Sequence, residues 1–229
     1  MPNWCSNTIV VSGEAADVTE FNEWLGDGKA LLNKIKPTPQ PLVETMSGFH
    51  GDPEEQKKLE EKSAANVKEF GYANWYDWNI GNWGTKWDVD AEVDDVSSIN
   101  EQVIFSFESA WAPPQRAISA IAEKFNKLTI RHSYLEEGVG FVGYDLYEKG
   151  ELANEEYNED SDSDAWKQLA QDEFGWEPWP DDDTELEQVD VTEVPKPAEK
   201  PAKKKVKKTA VKKTSKKTTK KVAKKKKKK

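Results

Sequence analysis

Val103 to Tyr134 reads VIFSFESAWAPPQRAISAIAEKFNKLTIRHSY, and its three parts decide the fold. Val103, Phe105 and Phe107 recur at period two, the spacing of a strand with one buried face. Ala112-Pro113-Pro114 then interrupts the chain, and Ile118, Ile121, Ala122 and Phe125 follow at helical spacing. Leu128, Ile130, His132 and Tyr134 return to period two. The stretch is strand, helix, strand.

Working outward, Trp87, Val89, Ala91 and Val93 alternate with Asp88, Asp90, Glu92 and Asp94, a half-buried strand with a solvated acidic face. A turn at Ser97-Ser98-Ile99-Asn100 makes it a hairpin with the Val103 strand. Near the N-terminus, Ser6 to Ser12 is a β-branched strand. Val18, Phe21, Trp24 and Leu25 form a helix face that stops at Gly26 and Gly28. Glu136-Glu137-Gly138 turns into a last run, Phe141 to Tyr147. Strands split by helices in the order βαββαβ predict an α+β fold. It is a ferredoxin-like split βαβ antiparallel sheet with helices on one face and one extra C-terminal strand.

Residues 37–86 read as an insertion. Pro37, Pro39 and Pro41 predict a surface connection. Asp52-Pro53-Glu54-Glu55 starts a helix that runs to Phe70, stops at Gly71 and has a thin apolar face. Then comes Trp75 to Asp88, with Trp75, Trp78, Trp83 and Trp87 spaced by glycines, asparagines and aspartates, which reads as a compact aromatic loop. Domain boundaries follow from composition: a ferredoxin-like domain over 1–150, an acidic, mostly disordered segment with one short helix over 151–195, and a disordered lysine-rich tail over 196–229.

Charge is placed unevenly. Residues 196–229 hold 19 lysines and one acid, Glu199, a local net of +18; taken from the whole-chain −10, this leaves −28 for residues 1–195. Such asymmetry points to contact with nucleic acid. Cys5 is the single cysteine, so the chain has no internal disulfide and suits a reducing compartment. With no signal peptide and no apolar run long enough to span a bilayer, the expected location is a host cytoplasm, including its nucleoid, with no membrane partner.

Met1-Pro2-Asn3-Trp4-Cys5-Ser6-Asn7, Trp83-Gly84-Thr85-Lys86-Trp87-Asp88 and Glu108-Ser109-Ala110-Trp111-Ala112-Pro113-Pro114 occur in one order. Together they resemble the YubB-like ferredoxin-fold family of bacteriophage and plasmid proteins over roughly residues 1–147. The resemblance implies a ferredoxin-like fold and a mobile-element origin. It brings no established activity.

Candidate sites are few. Aromatic side chains of the tryptophan-rich stretch can stack on bases, or Trp75, Trp78, Trp83, Trp87 and Trp111 can close the end of the sheet as an aromatic mini-core. The structural reading is the stronger, because Trp87 falls on the apolar face of its strand. The ligand or partner surface expected around it is Asp77, Trp78, Asn79, Asn82, Trp83 and Lys86. Lys203, Lys204, Lys205, Lys207, Lys208, Lys212, Lys213, Lys216, Lys217, Lys220 and Lys221 are expected to bind nucleic acid without reading sequence. Cys5, His50 and His132 show neither a nucleophile–base pattern nor metal-ligand spacing, so no catalytic residue, metal or cofactor is expected. The expected function is a non-enzymatic accessory protein of a phage or mobile element, whose ferredoxin-like domain binds a host or phage protein and whose tail binds nucleic acid. The rivals are an interaction module or inhibitor with an acidic, DNA-like surface, and an enzyme centred on the tryptophan-rich stretch.

Overall fold

The computed structural model describes residues 2–97 and 101–177. Its elements run β1 (Trp4–Ser12), α1 (Ala15–Leu25), α2 (Leu31–Ile35), α3 (Gln40–Val43), α4 (Pro53–Phe70), α5 (Trp75–Asn82), β2 (Glu92–Ser97), β3 (Gln102–Ala110), α6 (Gln115–Lys124), β4 (Thr129–Glu136), β5 (Phe141–Glu148), β6 (Glu151–Asn158) and α7 (Asp164–Phe174). The strands form one sheet in the order β2-β3-β1-β4-β5-β6, with every neighbouring pair antiparallel. The first four of these are the ferredoxin-like order, with β1 and β3 central. β5 and β6 extend the β4 side as a meander.

Register builds the core. Asn7, Ile9 and Val11 lie between Phe107, Phe105 and Val103 on one side and Tyr134, His132 and Ile130 on the other. Onto this face pack Val18, Phe21 and Leu25 of α1 and Ile118, Ile121 and Ala122 of α6. Phe21 stacks on Phe105 at 6.0 Å and meets Phe125 edge-on at 5.0 Å. The helix face expected from the spacing is therefore present.

The chain beyond residue 150 departs from expectation. Glu151–Asn158 is not disordered: it is an edge strand along β5. Its side chains are mostly exposed, so the backbone ladder rather than burial holds it, and acids are well tolerated on such an edge. Lys149 and Gly150 both have positive φ, 55° and 82°, which suits the two-residue turn joining β5 to β6. The short helix expected within 151–195 is α7. It covers the sheet face opposite α1 and α6, where Trp166, Leu169 and Ala170 pack on Leu135 and Val142. The folded body thus runs past 150 to at least Phe174.

The insertion is also more ordered than its prolines suggest. Leu31 and Leu32 of α2 and Leu42 of α3 are fully buried, so the expected surface connection is part of the core. α4 behaves as expected: Asp52 accepts from the Glu54 and Glu55 N–H groups, Gly71 ends the helix in the left-handed region, and the only buried α4 side chain is Asn66. The tryptophan-rich stretch is not a loop but the helix α5, capped by Asn74, whose Oδ1 accepts from the N–H groups of Tyr76 and Asp77. The alternating strand begins later than its pattern predicts. Val89 and Ala91 are buried, but the Val89 carbonyl accepts from Leu31 N–H and Ala91 N–H donates to Gly28. Gly28, at φ +73°, has no room for a Cβ, which would stand 2.1 Å from the Ala91 carbonyl oxygen. Asp88 and Asp90 are likewise not a free solvated face: Asp88 accepts from Leu32 N–H, and Asp90 from Ala30 N–H and the Lys29 ammonium. Of the expected turn at 97–100, residues 98–100 lie outside the described residues.

Candidate functional site

The expected ligand rim does not assemble. Trp78 and Trp83 are buried, edge-on to each other at 5.7 Å, and Trp83 Nε1 donates to the Lys36 carbonyl. Asn79 is buried too: its Oδ1 accepts from Thr38 Oγ1 and its Nδ2 donates to the Lys86 carbonyl. Asn82 donates back to the Trp78 carbonyl. These four side chains tie the insertion together and leave Asp77 and Lys86 for a ligand. The five-tryptophan mini-core also divides. Trp78 and Trp83 join the main core, Trp75 is half-buried against Tyr76, and Trp87 and Trp111 stay exposed at 38% and 43%. Trp4 joins this outer group, 6.0 Å from Trp87. The Lys86 ammonium sits 4.5 Å from the Trp87 ring centre and 4.8 Å from that of Trp111, so the rim already holds a cation of its own. The expected nucleic-acid lysines, Lys203 to Lys221, lie outside the described residues.

A second constellation sits under β1, β4 and β5. Asn7 Nδ2 donates to the Cys5 carbonyl and to Ser109 Oγ, leaving its Oδ1 as acceptor. His132 Nε2, 2.9 Å from that oxygen, must then carry the ring proton. The other ring nitrogen, Nδ1, faces Asp145 Oδ2 at 3.9 Å. Neither His132 Nδ1 nor Asp145 Oδ1 has a hydrogen-bond partner among the described residues, and both side chains are buried. Burial pushes His132 down to about 3, so the ring is neutral at neutral pH, and pushes Asp145 above the usual carboxylate range. The short distance between them is therefore no ion pair at neutral pH. Burial also pushes the Cys5 thiol up to about 12, which removes it as a nucleophile.

This network reaches the surface through Gln115. Its Nε2 donates to Asp145 Oδ2 at 2.9 Å and to the Tyr134 hydroxyl at 3.2 Å. Tyr134 lies across β5 at Gly143, where a Cβ would come within 2.7 Å of the tyrosine hydroxyl. Above it opens a groove of about 560 Å³ lined by Pro113, Gln115, Tyr134, Phe141, Glu155 and Tyr157. Phe141 links the two tyrosines, at 6.3 Å from Tyr134 and 6.0 Å from Tyr157. Glu155 stands opposite Asp145 in the β5–β6 register. Aromatic walls beside the exposed Glu155 carboxylate suit a cation rather than an anion. His132 is a satisfied core side chain at Nε2, as its strand phase predicts. The groove itself was hidden because one wall, Glu155 and Tyr157, stands on β6.

Residues 82–174 match the family described as the ferredoxin-like domain in Api92-like protein. Over that span the chain is similar to the Api92-like family. The matched span ends at the last residue of α7 and so includes this chain's β6 and α7. Over 84 residues the chain is 29% identical to the uncharacterized protein YubB of Escherichia coli (strain K12), which is 37% of this chain and 58% of YubB. The chain thus matches a little over half the length of that curated relative. A crystal structure of protein api92 from Yersinia pseudotuberculosis is similar with a TM-score of 0.42 and 12% identity, covering 69% of this chain and 98% of that one. The YubB-like resemblance and the ferredoxin-like expectation agree with these matches. Among the described residues, no helix is long and apolar enough to cross a membrane, and no three His, Cys, Asp or Glu side chains group as a metal site.

Proposed function

We propose that the chain is a non-enzymatic accessory protein of a phage or mobile element that links a partner protein to nucleic acid. Its lysine-rich tail holds nucleic acid without reading sequence, and its Api92-like body binds the partner. The observation that carries this reading is the charge division, +18 over residues 196–229 against −28 over the rest. A body so acidic repels phosphate, which leaves nucleic acid to the tail. Lysines spaced by Ala, Val, Thr and Ser neutralise phosphates and release counterions, and with neither arginine nor aromatic residues in the tail there is nothing to read base edges or stack.

The test is a salt series. Full-length chain is expected to bind a random duplex with log K falling linearly in log salt, by about 0.9 per phosphate engaged, and to lose about a thousandfold or more between 50 and 200 mM salt. A chain ended at residue 195 is expected to show no binding. Retained affinity in the shortened chain would move nucleic acid onto the body and overturn the division of labour. One observation favours a second reading, an acidic interaction module: Glu151, Glu155 and Glu156 line the exposed edge of β6. Under that reading neither chain binds DNA, and both compete with it for a basic protein.

A further inference from the structure

Arg131 shows how a ring and a carboxylate together receive a cation in this fold. The Arg131 guanidinium carbon lies 3.7 Å from the centre of the Tyr144 ring, while its Nε donates to Glu173 Oε2 at 3.1 Å. Ring on one side, carboxylate on the other: the planar guanidinium satisfies both at once, stacking through its face and donating through its edge. The groove over β4, β5 and β6 repeats the combination with no occupant drawn from the described residues. Tyr157 is 55% exposed along one wall, the buried Phe141 and Tyr134 contribute to the lining, and Glu155 supplies an exposed carboxylate. Gln115, which also lines the groove, is held by its donation to the buried Asp145 behind it.

We infer that this groove receives an arginine side chain of a partner polypeptide. The guanidinium stacks on Tyr157 and donates to Glu155. Arginine suits the site better than lysine, because its weaker hydration lowers the cost of leaving water and its flat face matches the rings. The inference rests on the partner-binding half of the proposed function and is independent of the tail, which contains no arginine.

Nuclear magnetic resonance titration of isotope-labelled full-length chain tests it. The probes are a capped five-residue peptide with one arginine among serines and alanines, the same peptide with lysine instead, and free arginine amide. The arginine peptide is expected to shift the Tyr134, Phe141 and Tyr157 signals and to bind about fivefold more tightly than the lysine peptide. Tyr157→Ala and Glu155→Gln, both at exposed positions, should each weaken it about tenfold. Glu151→Gln removes the same charge from the same strand outside the groove and should leave it within about twofold. Equal losses for Glu151→Gln and Glu155→Gln, or equal affinity for the two peptides, would mean diffuse attraction to an acidic surface and would overturn the site. Free arginine amide binding as tightly as the peptide would overturn the polypeptide as its source. Failure here with intact salt-dependent DNA binding separates this inference from the tether.

Discussion

His132 reports on its own burial through pH. Its folded value near 3 lies below the ordinary 6.5. Between those values the unfolded chain binds a proton that the folded chain refuses, so His132 makes stability fall as pH drops through this window, by up to about 1.4 kcal/mol per unit. Its contribution is whole above 6.5 and lost by about 3. Asp145 acts in the opposite sense, since its raised value makes the folded state the better proton binder above the unfolded aspartate range. Urea denaturation at pH 7, 6 and 5 separates the two. His132→Gln is expected to lower stability at pH 7 but to flatten the decline towards pH 5, and an unchanged slope would show that the ring titrates normally in the folded chain. That His132 is buried follows from its phase with Ile130 and Tyr134. That it meets Asp145 does not, because the pairing depends on the β4–β5 register, which no local spacing specifies.

At the scale of elements, α7 is where expectation and structure part most usefully. Trp166, Leu169 and Phe174 mark an amphipathic turn in the sequence, but nothing local says which surface receives it. The answer lies in Leu135 and Val142, whose phase puts them opposite the Ile130–Tyr134 face. α7 is also fastened electrostatically. Burial alone would raise Glu173, but hydrogen bonds from Arg131 and Ser133 outweigh it and hold the carboxyl below its ordinary range. Trp166→Ala should therefore cost about 3–5 kcal/mol in denaturant unfolding. A loss under about 1 kcal/mol would mean that α7 is a loosely held appendage. β6 escaped notice for a different reason. A strand stabilised by its ladder leaves no apolar periodicity, and the only local signal was the Lys149-Gly150 turn. The tryptophan-rich stretch misled in the other direction: glycines and asparagines argue against a helix, yet Asn74 caps one and tertiary packing of Trp78 and Trp83 holds it.

For the whole molecule, the sheet order was legible because β1, β3, α6 and β4 carry clean periodicities in a sequence order that few folds accept. The outer limits of the body and the groove were not, since both depend on an edge strand with polar side chains. What composition shows without any structure is the opposition of an acidic body and a basic tail, and the proposed function stands on it. Lysine-selective acetylation of the full-length chain, read by mass spectrometry with and without saturating duplex DNA, tests that opposition at single residues. Lys203 to Lys221 should be protected by DNA and exposed again at high salt, while Lys34, Lys86 and Lys124 on the body react equally in both states. Protection of Lys86 with an unprotected tail would contradict the tether and place nucleic acid on the exposed tryptophans instead.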